Sequence, residues 1–581
     1  MPDSLIYNLN DNKNDYNDDY KSRTEYTNYL IGAPFGPNKN RDVKGLGIPI
    51  DLSMAFHTDA GITKNDTTIG TLAIYSLIDA FNNSNFPDGK SRLACRDLSD
   101  IVQSQIVDDI RANFDVAWNK RQLREAQYAE SQRPNVPALL LELLSHQNFL
   151  DMKYMLDPRF RFVVSRAIYK GMLKYLSVQN NCDYVVQPLP IHKFYTEFVG
   201  GNSVKLSWKF TEDKFEPTAK PNGYIVYTAI DDKGFDNGIF VKETEYKYEN
   251  LLKNKIYKFK ITAVNEGGES FPSEVLSVCK TDSKETVLIV NAFDRICAPK
   301  WIDGTNFSGF LSNLDAGVPD KVDLGFTGYQ TDFNPKSEYI SNDEPGHGAS
   351  TANYETNVIA GNTFDYSYVH GKSFVENGFS FVSGSNEAFE DGLYNNKNYV
   401  LIDIIAGEEK STPYPKKYEN DTKGVQFTLF TKSMQKQIGD YLNKGGNVFI
   451  SGAYIGSDVF RSEFADSLDI KFVQNKLKYN MASCFGSKTG NVKSVNNYQN
   501  ISFKFNTELN DKIYAVEAPD AIMPINGSQT IFRYADNEYS AGIGFKDGYG
   551  VVALGFPFET ILEKEKRDEL IRSIVNYLKL K

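Results

Sequence analysis

The hydrophobic pattern divides the chain into stretches of different period. Over residues 1 to 178, "GLGIPIDLSMAF" and "VPALLLELL" are unbroken apolar runs, the pattern of strands covered on both faces. Between and after them, "DLSDIVQSQIVDDIRANF" and "FVVSRAIYKGMLKYL" repeat apolar residues at helical spacing, so this region predicts an α/β domain. From 183 to 281 the period falls to two: "NSVKLSWKF", "GYIVYTAI", "KETEYKYENL", "IYKFKITAVN" and "SEVLSVCK" are short strands set apart by turn residues, with no helical stretch among them. That texture predicts a β-sandwich. From 284 to 581 apolar strands return with helices between them: "TVLIVNAF", "YVLIDII", "KSMQKQIGDYLNKGG", "NVFISGAYIG", "GVVALGF" and "KRDELIRSIVNYLKL". A helix closed by Gly-Gly between two strands predicts a doubly wound parallel sheet. Residues 300 to 395 are rich in Gly, Asn, Ser and Tyr and read as long surface loops near strand ends.

Composition narrows the function classes. A hydrophobic fraction of 41% with 35 Tyr and 39 Phe supports packed domains, and 581 residues exceed one hydrophobic core. A formal charge of −11 leaves no broad basic surface, so nucleic acid is not an expected partner. No apolar run reaches the roughly 20 residues of a membrane span, and the polar, acidic first 30 residues do not read as a secretion signal. Cys95, Cys182, Cys279, Cys297 and Cys484 lie far apart and are odd in number, which predicts buried free thiols rather than a disulfide framework or a cysteine zinc site.

With only five histidines in the chain, one at a strand end raises a functional question. "DLSMAFHTDAG" ends in His57 and Asp59, and "VPALLLELLSHQNFLD" carries Glu142, His146, Asn148 and Asp151. Residues at the C-terminal ends of parallel strands converge on one crevice, which could bring an imidazole and a carboxylate together. A neutral imidazole is a zinc ligand and a carboxylate can act as general base to metal-bound water, although one histidine and one glutamate do not define a metal site. A carboxylate directly after "ALLL" demands a partner or a catalytic role.

"MAFHTDAG" resembles the Ser-Ile-His-Ala-Asn/Asp-Ala segment of zinc-dependent N-acetylmuramoyl-L-alanine amidases. "VPALLLELLSHQNFLD" is similar to their Pro-Ala-Val-Leu-Val-Glu-x-Gly-Phe-x-Ser-Asn-x-x-Asp segment, and Arg23 and Asn28 in "SRTEYTN" match their Arg-x-x-x-Ala-Asn helix. The resemblance spans residues 15 to 176 and implies a zinc enzyme that cleaves the lactyl-L-alanine amide of peptidoglycan. It implies His57 as the last zinc ligand and Glu142 as the catalytic glutamate; Asp59, His146 and Asn148 are candidates for a substrate groove, although His146 has no counterpart in that family and Asp59 also reads as orienting a neighbour or capping the following turn. The first two ligands of that family, a loop His and a helix-start Glu, have no match here, and Glu25 is a poor substitute. The expectation is an N-terminally incomplete chain or, alternatively, an amidase domain that has lost its metal; the absence of an opening strand in residues 1 to 20 favours the first.

The middle segment resembles a fibronectin type III domain, through Trp208, Tyr224, Tyr227, Leu252 five residues before Tyr257, and the turn from Asn265 to Gly268. Such domains are mostly spacers or adhesive modules. In the third segment "NVFISGAYIGSD" looks like the nucleophile elbow of class I glutamine amidotransferase-like folds, with Tyr454 at the nucleophile position. A phenol is a poor nucleophile near neutral pH, so this elbow reads as degenerate and the domain as catalytically silent. His347 in "EPGHGAST" reads as a loop residue.

The fold class expected is therefore multidomain: an amidase-like α/β domain over 1–178, a fibronectin type III sandwich over 183–281, and a flavodoxin/amidotransferase-like α/β domain over 284–581. The function expected is that of an extracytoplasmic, zinc-assisted cell-wall hydrolase acting on peptidoglycan. The rival expectation is a non-catalytic glycan-binding or adhesive envelope protein.

Overall fold

The computed structural model describes residues 6–32, 44–65, 67–325, 328–350, 358–394, 398–415, 424–495 and 500–580. They form two compact units, one of residues 1–184 with 301–310 and 326–354, the other of 185–300, 311–325 and 355–581. The two-unit division differs from the three segments that patterning suggests: the sandwich and the C-terminal α/β region share one unit.

In the first unit four strands lie in the order Ser53–Asp59, Ala138–Ser145, Leu72–Tyr75, Arg124–Glu125. The Ala138–Ser145 strand is central and explains the run "ALLLELL". Leu139, Leu141 and Leu143 pack with the helices Leu93–Asn113 and Pro158–Asn180, whereas Leu140 joins Leu72 and Ile74 in a much smaller apolar cluster with Ala55. Strand side chains alternate between faces, so Glu142 continues the row of Leu140, on the lightly covered face. The two helices approach closely at Gly171, where a Cβ would come within 2.9 Å of the Val102 Cα. "GLGIPIDLSMAF" departs from expectation. Its strand, Ser53–Asp59, is a half-exposed edge paired only with Ala138–Ser145 among the described strands.

Part of the 300–395 segment is not surface loop but core of this unit. Trp301–Asp303 and Ser308–Phe310 form a hairpin, Phe149 stacks on Phe333 with ring centroids 5.1 Å apart, and Lys153 Nζ pairs with Asp303 at 2.7 Å. His347 is buried, its Nδ1 3.0 Å from the Ser337 carbonyl oxygen, and so is not a free loop residue.

The second unit opens with the sandwich. All five sequence-read strands are present, and a sixth, His192–Phe198, precedes them. Trp208 fills the interior at 3% exposure. The Leu252 N–H donates to Tyr257 Oη at 3.1 Å, so the tyrosine ties the chain at a corner. The α/β part sets five parallel strands in the order Ser380–Ser385, Thr286–Asn291, Leu401–Gly407, Asn447–Gly452, Tyr549–Leu554. Antiparallel strands Ser540–Asp547, Gln529–Tyr534, Asn491–Ser494 and Ser502–Lys504 extend it.

The sandwich is joined to this sheet rather than tethered to it. Tyr195 pairs with Gly384 and Cys279 with Phe381. Ser383 ties both sandwich sheets down: its N–H donates to Thr196 Oγ1 at 3.1 Å, and its Oγ donates to the Ser277 carbonyl at 2.7 Å. A simple spacer would make no such ladder. Among the described residues no cysteine forms a disulfide; Cys95, Cys279 and Cys297 are buried as expected, whereas Cys182 is exposed.

Candidate functional site

His57 and Glu142 are register partners on adjacent parallel strands. They occupy the C-terminal end of the lightly covered face, where the Leu140 row runs out of apolar neighbours. An irregularity in the ladder between His57 and Asp59 re-registers Asp59 against Ser145. Asp59 Oδ2 then accepts from Arg121 Nη1 at 2.7 Å.

Two further charges complete the cluster. Glu130, from the short helix Ala129–Gln132, sets Oε1 3.6 Å from His57 Nε2, an ion-pair distance rather than a hydrogen bond. Arg23, from the helix Asp15–Ile31, reaches the same oxygen at 3.4 Å. That helix is locked by Asn28, whose Nδ2 donates to the Arg133 carbonyl at 3.0 Å and whose Oδ1 accepts from Asn135 N–H at 2.8 Å. Glu25, buried, pairs with Arg133 and so does not face His57.

The electrostatics push the two central groups in a shared direction. The Glu130 carboxylate raises the His57 pKa above its ordinary value against the opposing effect of burial, and Glu142 adds to the rise. Burial raises the Glu142 carboxyl, and repulsion from Asp59 raises it further. Burial also works against ionisation of Glu130, but His57, a backbone hydrogen bond and Arg23 together hold its pKa low. Glu142 Oε2 is buried and makes no hydrogen bond to the described residues. An unsatisfied buried acceptor costs about 1–3 kcal/mol, which a ligand donor or a proton would recover.

The remaining sequence candidates divide between site and scaffold. His146 sits beside the cluster: its N–H donates to the Asp59 carbonyl at 3.0 Å, its Nδ1 is 3.1 Å from Thr58 Oγ1, and its buried Nε2 has no partner. Burial lowers its pKa, so the ring is neutral at pH 7. Asn148 has a scaffold role. It is 3% exposed and caps the helix Phe149–Met155, its Oδ1 accepting from Asp151 N–H at 3.1 Å. Glu130 was not legible as a site residue, because nothing around "AESQ" marks it. Asp151 accepts from Ser145 N–H at 2.8 Å and Ile69 N–H at 3.2 Å, fixing the strand end that carries Glu142.

The donor set does not fit a catalytic zinc, which needs three protein ligands. Among the described residues no group of three or more His, Cys, Asp or Glu side chains is spaced to hold a metal ion. The His57 imidazole faces a carboxylate already shared with Arg23.

In the second unit Tyr454 follows the strand Asn447–Gly452. The strained turn that defines a nucleophile elbow is missing, since Tyr454 is not among the described non-glycine residues with positive φ. Its side chain is 4% exposed and its hydroxyl has no hydrogen-bond partner.

A family model described as "Fibronectin type III domain" matches residues 190–278, and that segment is such a domain. No amidase or amidotransferase family is found. Among solved structures, the chain is similar to the twitchin kinase region from C. elegans (24% identity, 16% of this chain and 17% of that one, TM-score 0.15). It is likewise similar to titin domains A168–A170 (27% identity, 15% and 30%, TM-score 0.14) and to a fourth FNIII domain of a human protein (23% identity, 17% and 82%, TM-score 0.15). The chain thus spans less than a third of the twitchin and titin structures it matches.

Proposed function

We propose that this is an extracytoplasmic cell-envelope protein whose first unit is amidase-like and acts at the lactyl-L-alanine amide of peptidoglycan. The observation that carries the reading is the pairing of His57 with Glu142 at one strand-end register, with Glu142 half-buried, raised in pKa and short of one hydrogen-bond partner. The fibronectin type III domain and the absence, among described residues, of a helix long and apolar enough to cross a membrane agree with an outer-surface or periplasmic setting. The order of the five parallel strands in the second unit supports a flavodoxin/amidotransferase-like domain there, without the strained elbow.

The residues at hand set what the site does. Glu142 Oε2 takes a hydrogen bond from the amide N–H when ionised; when protonated it gives its proton to the amide nitrogen as a water molecule adds to the carbonyl carbon and the C–N bond breaks, leaving a carboxylic acid and an amine, and the raised pKa brings both forms closer to neutral pH. His57, its pKa raised by Glu130, lies alongside, and Arg23 and Arg121, paired with Glu130 and Asp59, line the same face. Zinc, when bound by the family this unit resembles, supplies an activated water; the described residues do not complete its ligand set, and no step here runs through it.

A second reading, non-catalytic recognition of the same polymer, is favoured by that incomplete set. Purified sacculi separate the two. Co-sedimentation with sacculi together with zinc-dependent release of stem peptide, with release but not binding lost in Glu142→Gln, establishes the hydrolase. Binding without release at any zinc level establishes recognition alone. Sacculi that leave the chain in the supernatant overturn both.

A further inference from the structure

We propose that the second unit holds a separate binding site for a carboxylate-bearing ligand, built at the C-terminal ends of its parallel strands around Tyr454 and Glu408. In an open parallel sheet, ligands bind in the crevice beyond the carboxyl ends of the strands. Three of those ends deliver the groups: Arg295 follows Thr286–Asn291, Glu408 and Lys410 follow Leu401–Gly407, and Tyr454 follows Asn447–Gly452. Asp315 and Glu517 complete the cluster from other segments.

Cations and anions are not equally satisfied in this cluster. Asp315 Oδ2 accepts from Arg295 Nη2 at 2.6 Å and from Lys410 Nζ at 3.1 Å, so a single carboxylate serves two cations. Lys410 Nζ lies over the Tyr454 ring, 4.4 Å from its centroid, and the Arg295 guanidinium lies 5.7 Å from it. Two groups in the cluster go unanswered: Glu408 Oε1 and Tyr454 Oη are both buried with no hydrogen-bond partner among the described residues, on side chains 2% and 4% exposed. Burial pushes both well above their ordinary pKa values, and Glu517 and Asp315 push Glu408 further in the same direction. Both therefore favour the protonated, O–H-bearing form over the charged one.

An arrangement with two spare buried O–H donors and a cation in excess of its partner matches one ligand chemistry. A carboxylate accepts from both hydroxyl groups while facing Lys410, and so satisfies two buried polar groups at once. A neutral sugar hydroxyl offers a weaker acceptor and no charge for Lys410. A cation meets Lys410 and Arg295 and is repelled. Of the two cations Lys410 is the one that reaches solvent, its side chain 30% exposed against 3% for Arg295. The carboxylate could belong to a uronic acid of a glycan or to the free end of a peptide.

Isothermal titration of the full chain with glucuronate, with N-acetyl-alanine and with glucose tests this and separates the sources. The site requires glucuronate or N-acetyl-alanine to bind at least tenfold more tightly than glucose. It also requires Tyr454→Phe, which removes one oxygen and keeps the ring, and Lys410→Met each to weaken that binding at least tenfold while the circular dichroism spectrum is unchanged. Tightest binding of glucuronate identifies a glycan, and tightest binding of N-acetyl-alanine a peptide. Carboxylates that bind no more tightly than glucose, or that bind Tyr454→Phe as well as wild type, overturn the proposal. Should Lys410→Met misfold, Tyr454→Phe alone decides.

Discussion

Replacing Asp151 by asparagine reverses sign with pH, and the structure gives both ends of the reversal. Asp151 is fully buried in the first unit and accepts two backbone N–H groups, from Ser145 at 2.8 Å and Ile69 at 3.2 Å. Burial carries its pKa up to about 7 against those hydrogen bonds and the charge of Arg121. In the unfolded chain an aspartate titrates near 3.9. Between those values the folded protein holds a proton that the unfolded chain has released. Stability is therefore highest below about pH 4 for this group and falls as pH rises through 7, by about 4 kcal/mol in all across a span of about three pH units. Asp151→Asn does not titrate, keeps one acceptor oxygen and sets an NH2 against the second N–H, a loss of about 1–3 kcal/mol. Wild type is thus the more stable protein at pH 4.5. By pH 8 its advantage is gone or inverted. Urea unfolding of both proteins between pH 4.5 and 8, followed by the fluorescence of the buried Trp118 in the same unit, measures the difference directly. A wild-type advantage that stays constant over that range refutes the assignment of a buried, proton-holding Asp151.

Two further perturbations probe the second unit. Gly384→Ala places a Cβ 1.8 Å from Tyr394 Oη at the seam between sandwich and sheet, and overpacking of this kind costs about 1–3 kcal/mol; the expected result is a lower thermal midpoint with sandwich and α/β region still unfolding in one transition, and an unchanged midpoint would remove the seam as a structural element. His370 is fully buried, and burial opposes its charge, yet Asp403 at 2.7 Å and Glu559 at 3.2 Å carry its pKa to about 9. A folded pKa above the unfolded value of about 6.5 means its contribution is complete below pH 6.5 and lost as pH rises through 9; an imidazole NMR signal that titrates near 6.5 in the folded protein would contradict it.

Period and punctuation carried most of the element assignments. "KSMQKQIGDYLNKGG" gives a helix over Lys432–Leu442, and the Leu252 to Tyr257 spacing gives a corner that closes with a 3.1 Å hydrogen bond. Both signals are local. What escaped was non-local pairing. "FSFVSGS" holds small polar residues at alternate positions and looks like loop, yet Ser380–Ser385 is a fully buried strand, because Ser383 satisfies Thr196 and Ser277 across the seam. A buried serine reads as polar in sequence whether or not a partner awaits it. The same limit explains why Trp301, Phe310 and Phe333 read as loop residues: their partner Phe149 lies more than 150 positions away.

The two clusters of ionisable residues were legible to different degrees for a related reason. Glu142 interrupts an apolar run, and a charge in such a place must be answered by structure or used, so it can be picked out from one strand alone. Its neighbours Glu130 and Arg23 come from ordinary polar helices and carry no mark. Glu408, Glu409 and Lys410 follow an apolar strand directly, at the position where a parallel sheet stops excluding polar groups, but their meaning depends on Asp315 and Tyr454, brought in from other segments. Glu142 is half-buried and faces a lightly covered sheet surface, so it can exchange protons with solvent. Glu408 is 2% exposed, whereas Lys410 beside it keeps its side chain 30% exposed, so of the two only the cation reaches solvent.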